Sequence, residues 1–247
     1  MNEKIKELRI QMQEIKKKGW ITVNDDDLGA CGNTFERLLN KEKDNFPWPD
    51  YYGIEIKVLK NDSRGKIHLM SLTPDGDYLF PIKRIIEIIG YPDKEMPQYR
   101  VFNVEVNCQE YKKLCYGKKL ILHINREEEK LELIGFNHLN DNININVSWS
   151  FNLLKKRLST KLEYLAIVKA DEKKSVDVRM YRFNEVHIFK LKSFEKFLWL
   201  LENGVIKVTF KIGVFKSGKR IGQIHDRGTD FSINYSYLNN LFDKIRY

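Results

Sequence analysis

The chain has 247 residues, 43 of them Lys or Arg and 34 Asp or Glu, for a formal net charge of +9. That length suffices for one large domain or two small ones, and a 42% hydrophobic content excludes a disordered chain. The basic balance favours a polyanionic partner, either nucleic acid or an acidic membrane surface.

From the first residue, Met1 to Lys18 is charged throughout, without the apolar run of a signal peptide. No later stretch reaches the apolar length needed to cross a bilayer. Ile5, Leu8, Met12 and Ile15 recur at steps of three and four, which predicts an amphipathic helix over about Glu3 to Lys17, ended by Gly19. Asp25-Asp26-Asp27 then reads as a solvated loop, although an acidic triplet can also hold a metal. Asn33 with Glu36 three residues on has the form of a capping box opening a second helix to about Lys43, with Phe35, Leu38 and Leu39 buried. Phe46-Pro47-Trp48-Pro49 is forced into an extended turn by its prolines.

Glu55 to Lys60 reads as a strand, Asn61 to Gly65 as a turn and Lys66 to Leu72 as the returning strand of a β-hairpin. A helix follows around Ile82 to Ile89, stopped by Gly90 and Pro92. Strands are predicted over Val101 to Asn107, Lys119 to Asn125, Lys130 to Asn137, Glu163 to Ala170, Arg179 to Phe189 and Val205 to Val214. Ser150 caps a helix over Phe151 to Leu158, and Ser193 opens one carrying Phe194, Phe197, Leu198 and Leu201. The sum is α/β with a mixed sheet, in two lobes without an extended linker. Cys31, Cys108 and Cys115 are odd in number and lack zinc-site spacing, so they read as free thiols of a soluble cytoplasmic protein.

Two stretches stand apart. In Pro49-Asp50-Tyr51-Tyr52-Gly53-Ile54-Glu55-Ile56-Lys57, Glu55 and Lys57 share one face of a strand while Ile54, Ile56 and Val58 take the other. That pattern fits a divalent metal held beside a lysine at a site edge, with Asp50 arriving from the turn. Spacing alone favours the other reading, a half-buried strand with surface charges. The second stretch, Phe215 to Phe231, puts three glycines and five basic side chains, counting His225, between two strands. Glycine lets the backbone approach a ligand closely, and Arg, Lys and His donors suit phosphates and the acceptor edge of guanine. A basic surface hairpin without a specific partner is the alternative.

Taken together, Pro49-Asp50 and Glu55-Ile56-Lys57 after the helix Asn33-Thr34-Phe35-Glu36-Arg37-Leu38-Leu39, and the SGKxxGxxHDxGTxF stretch Ser217 to Phe231, resemble the MvaI/BcnI restriction endonucleases. These are PD-(D/E)xK nucleases related to the mismatch-repair nicking protein MutH. Trp149-Ser150-Phe151, Lys161-Leu162 and Tyr164 to Ala170 extend the likeness, which runs from about Trp20 to Asn234 and is weak over Thr73 to Asn146.

The resemblance implies a restriction-endonuclease-like α/β core with two lobes around a DNA cleft, residues 1–150 catalytic and 151–247 for recognition, within one nuclease domain. It implies Mg²⁺ on Asp50 and Glu55, helped by the Ile56 carbonyl. Lys57 would orient or deprotonate the attacking water, and Glu36 would be an additional carboxylate. Lys211, Lys216, Lys219, Arg220, His225, Asp226, Arg227 and Thr229 would contact DNA. Relatives cut short pseudopalindromes of the CC-N-GG kind and work as monomers, so a monomeric type II restriction enzyme is expected. It would act on double-stranded DNA, with a cognate methyltransferase as functional partner, no nucleotide cofactor and no membrane. A MutH-like nickase and a non-catalytic DNA-binding module are the alternatives. This chain departs from the family pattern at three places: Arg227 replaces the second histidine of HDHG, and Ser232 and Lys211 stand where arginines are usual.

Overall fold

The structure is a computed structural model that describes residues 1–23, 29–39, 48–61, 65–76, 79–175 and 178–246. The expected Asp25–Asp27 loop, the end of the second helix, Phe46-Pro47 and the turn residues 62–64 lie outside the described residues.

In chain order the first elements are α1 (Asn2–Lys17), β1 (Ile21–Val23), α2 (Ala30–Leu38), β2 (Ile54–Lys60), β3 (Lys66–Ser71) and α3 (Leu79–Ile89). Then come β4 (Tyr91–Pro92), β5 (Arg100–Val106), β6 (Lys112–Lys113), β7 (Lys119–Asn125), β8 (Lys130–Phe136), β9 (Asn142–Ile143), β10 (Ser148–Ser150) and α4 (Phe151–Lys161). The last are β11 (Tyr164–Lys174), β12 (Arg179–Leu191), α5 (Phe194–Glu202), β13 (Lys207–Val214), β14 (Ile224–Asp226), β15 (Asp230–Asn234), α6 (Leu238–Leu241) and β16 (Phe242–Lys244).

Two compact units result. One comprises Met1–Ile67, Leu158–Lys192 and Leu238–Tyr247; the other comprises His68–Arg157 and Ser193–Tyr237. They are interleaved in sequence and so differ from the expected division at residue 150. The cause is strand pairing: β11, late in the chain, lies parallel to β2, with Glu55 opposite Leu165 and Lys57 opposite Ile167.

The first unit is built on the sheet β1-β12-β11-β2, with β16 also on β12. Parallel β2–β11 beside antiparallel β11–β12 makes it the mixed sheet expected. Ala166, Ile167 and Val168 are fully buried, as a strand covered on both faces requires. α1 packs on β12 and α2 on β2. The buried stripe of α1 is Ile5, Leu8, Met12 and Ile15, each worth about 1.5–3 kcal/mol on burial. Gly19 follows at φ +67°, a conformation that costs glycine little and ends the helix.

The second unit carries two sheets, β3-β15-β13-β5-β4 with β14 on β13, and β10-β8-β7-β6 with β9 on β8. β2 and β3 therefore do not form the expected hairpin: they enter different sheets, because β2 pairs with β11 while β3 pairs with β15. Trp149 is fully buried against Phe210 and Phe231, and its indole N–H donates to the Leu72 carbonyl at 3.0 Å. Both serine caps form: Ser150 Oγ accepts the Leu153 N–H at 3.3 Å, and Ser193 Oγ accepts the Lys196 N–H at 3.2 Å.

Candidate active site

Tyr51 and Ile54 exchange backbone hydrogen bonds across a tight turn. Tyr52 occupies it at φ +43° and Gly53 at φ +89°. This turn folds Asp50 back over the start of β2, where its Oδ2 accepts the Ile56 N–H at 3.0 Å. Asp50, from the turn, thus lies near enough to Glu55, on the strand, for its charge to act on that carboxyl.

Glu55 is 0% exposed, which does not fit the alternative of a strand with surface charges. Its neighbours Ile54 and Ile56 are buried as well, so the carboxylate sits inside the protein. Lys57 Nζ bonds Glu55 Oε1, as two residues on one strand face can. Lys161, the last residue of α4, brings a second ammonium to 3.3 Å from the same oxygen. Glu55 Oε2 is buried and has no hydrogen-bond partner among the described residues. Burial pushes the Glu55 carboxyl above its ordinary value of 4.5, and the nearby charge of Asp50 adds to the rise; Lys57 and Lys161 pull the other way.

An unsatisfied buried carboxylate oxygen is costly unless a cation or donor meets it. Two lysines on Oε1 leave Oε2 as the oxygen suited to a divalent metal. Mg²⁺ prefers such hard oxygen ligands and keeps several waters, so one or two protein carboxylates suffice. Among the described residues no three His, Cys, Asp or Glu side chains converge as a metal group. Glu36 lies inside α2 and does not close a capping box. α2 starts after Gly29 rather than at Asn33, and the Asn33 N–H already donates to the Gly29 carbonyl at 3.0 Å.

The second stretch is more ordered than a loop. β14 pairs with β13, setting Ile212 opposite Asp226 and Gly213 opposite His225. His225 stacks on Phe215 with ring centroids 4.2 Å apart and planes 5° from parallel. The Arg220 guanidinium lies 4.0 Å from the centroid of the same ring, so one phenyl group carries an imidazole and a guanidinium. Gly222, at φ +78°, is required: a Cβ there would fall 2.3 Å from Tyr99 ring atoms. Asp226 Oδ1 accepts the Gly228 N–H at 2.9 Å, and burial pushes its carboxyl above 3.8.

The expected DNA contacts divide. Lys219, Arg220 and Arg227 are exposed. Lys216 is exposed but ion-paired with Glu95 at 2.9 Å and Asp93 at 3.3 Å. Thr229 is buried, and its carbonyl accepts the Leu72 N–H at 2.9 Å. Lys211 bonds Asp230 Oδ2. Asp230 is buried and also accepts from Ser71 Oγ at 2.8 Å, with His68 Nε2 at 2.8 Å from the same oxygen, Oδ1.

Sequence reasoning assigned no role to Lys161, His68, Ser71 or Asp230. Lys161 lay within a segment already noted for its likeness. His68 and Ser71 reach Asp230 only because β3 pairs with β15, a pairing of strands far apart in sequence.

The family model described as the MvaI/BcnI restriction endonuclease family matches residues 10–242. Among solved structures, the chain is similar to the restriction endonuclease MvaI–cognate DNA substrate complex, with a TM-score of 0.89 and 28% identity, covering 99% of this chain and 98% of that one. It is similar also to restriction endonuclease MvaI in the absence of DNA, at TM-score 0.64 and 27% identity over the same shares. No curated protein matches.

Proposed function

The chain belongs to the MvaI/BcnI restriction endonuclease family, and from that premise we propose that it cleaves double-stranded DNA at a short pseudopalindromic, G·C-rich site of the CC-N-GG kind with Mg²⁺. One observation carries the catalytic half of the reading: a fully buried glutamate whose first oxygen is held by two lysines and whose second has no hydrogen-bond partner among the described residues. Asp50 and Glu55, with the Ile56 carbonyl, would hold the metal. When bound, Mg²⁺ supplies charge that polarises a phosphoryl oxygen and lowers the pKa of a bound water. Lys57 orients the attacking water or takes its proton, and its ammonium stabilises the charge that builds on the phosphate. The charge of Lys161, like that of Lys57, favours the ionised form of Glu55.

Lys219, Arg220, His225 and Arg227 supply donors for phosphates and base edges. The enzyme acts as a monomer in the cytoplasm, its host DNA protected by a cognate methyltransferase. No helix of the described residues is long and apolar enough to cross a membrane.

The test is incubation of purified protein with plasmids of varied sequence, with and without Mg²⁺. Discrete fragments that need Mg²⁺ and share one end sequence are expected. Plasmids left intact across a wide range of sequences would sink the reading, and nicked circles that never become linear would turn it towards a MutH-like nickase.

A further inference from the structure

The basic hairpin of the second unit leans on a loop that has no part in the proposed contacts. Residues 93–99 join β4 to β5. The Asp93 N–H donates to the Tyr99 carbonyl and the Tyr99 N–H to the Met96 carbonyl, both at 2.9 Å. Asp93 Oδ1 accepts the Glu95 N–H at 2.9 Å and the Met96 N–H at 3.0 Å. A carboxylate that takes two backbone donors of its own loop fixes the shape of that loop.

The loop meets the tip of the β13–β14 hairpin at two points. Lys216 Nζ lies 2.9 Å from Glu95 Oε1 and 3.3 Å from Asp93 Oδ1. The Tyr99 ring stands where a side chain at position 222 would be, and Gly222 leaves it that room. Little else holds the tip. Residues 216–223 bury no side chain, and β14 pairs with β13 over three residues. Two hydrogen bonds close the tip on itself, from the Phe215 N–H to the Gln223 carbonyl at 3.0 Å and from the Gly222 N–H to the Phe215 carbonyl at 2.8 Å. They set its shape but not its direction. Direction matters because Phe215 carries both His225 and Arg220, and a displacement of about 1 Å in a positioned group can cost about 10²-fold. A phosphate at Lys216 would have to displace two carboxylates and then lie beside them, which like charges oppose.

We propose that residues 93–99 brace the recognition hairpin, with Lys216 as the clasp and not a phosphate contact. Lys216 is then a positioning residue that acts through Arg220 and His225, in place of the DNA contact expected of it. The proposal rests on the reading that this hairpin meets DNA.

The test measures binding without metal, by fluorescence anisotropy over a range of salt, to duplexes carrying CC-N-GG with each central pair. The changed side chains are all exposed, so the fold is kept. Arg220→Ala is the control, expected to make the slope of log affinity against log salt shallower by about 0.9. Lys216→Gln/Glu95→Gln keeps the net charge of the parent. It is expected to bind about fivefold more weakly at an unchanged slope. The exchanged pair Lys216→Glu/Glu95→Lys is expected to recover most of that affinity. A shallower slope in the glutamine pair would make Lys216 a phosphate contact and overturn the proposal. So would an affinity equal to the parent's, or a loss that the exchange leaves unrepaired. A parent that binds none of these duplexes, or an Arg220→Ala slope equal to the parent's, would refute the hairpin as the DNA-contacting element, and the proposal would fall with it.

Discussion

Among the described residues each unit buries one carboxylate beside basic side chains, and the two are finished differently. Asp230, in the second unit, has both oxygens taken: Oδ1 by Ser71 and His68, Oδ2 by Lys211. Glu55, in the first, has one oxygen crowded by two lysines and the other without a hydrogen-bond partner among the described residues. A satisfied buried carboxylate holds strands and side chains in place. An unsatisfied one stores an unmet demand for a cation, which is what a metal-dependent site needs before its metal arrives. On the proposed reading, the same residue class serves architecture in one unit and chemistry in the other.

The largest effect expected from this contrast is on cleavage. Glu55→Ala and Lys57→Ala should each lower the cleavage rate by about 10³-fold or more while circular dichroism and duplex binding stay near those of the parent. Retained cleavage in both variants would refute the site. Asp230→Ala should instead act on the fold, because it strips three donors of a shared acceptor. A loss of about 2 kcal/mol in urea denaturation is expected, and a change below the error of that measurement would remove Asp230 from the architectural role. Lys161→Met should slow single-turnover cleavage about tenfold, or ~1.4 kcal/mol, since Lys57 still holds the shared oxygen. A rate equal to the parent's would show that the second ammonium is idle. Phe215→Ala removes the ring on which Arg220 and His225 lie, and should weaken duplex binding by about 1 kcal/mol, read by gel shift without metal.

The smallest effect is on pH dependence. The folded protein holds the Glu55 proton more tightly than the unfolded chain does, because burial raises its carboxyl above 4.5. Metal-free stability from this group is therefore complete below about 4.5 and declines as pH rises through the raised value. Glu55→Gln cannot titrate, so its stability relative to the parent should improve across that window and level off above it. Urea midpoints at pH values on either side of the window check this, and a difference independent of pH would contradict the burial argument.

Local pattern accounts for much of what was legible beforehand. α1 and its four buried residues, the serine caps of α4 and α5, and the fully buried centre of β11 all follow from spacing, because helix and strand periods sort apolar side chains without reference to distant partners. The Glu55–Lys57 contact was legible for the same reason: two residues apart on a strand is one face. Glu36 shows the limit. Asn33 and Glu36 have the spacing of a capping box, but packing of Ala30 and Cys31 in the core extends α2 backward and moves both residues inside the helix.

The amino-acid sequence by itself determined the periodic elements, the basic balance, and the Asp50–Glu55–Lys57 set with its family likeness. Only the tertiary structure decided that β2 leaves β3 for β11, that Lys161 completes the surroundings of Glu55, that Thr229 is buried, and that His68 and Ser71 meet Asp230. The physical reason is one of range. Periodicity and capping are written within a few residues. Burial of a charge, and the partners that answer it, depend on strands brought together from more than a hundred residues apart.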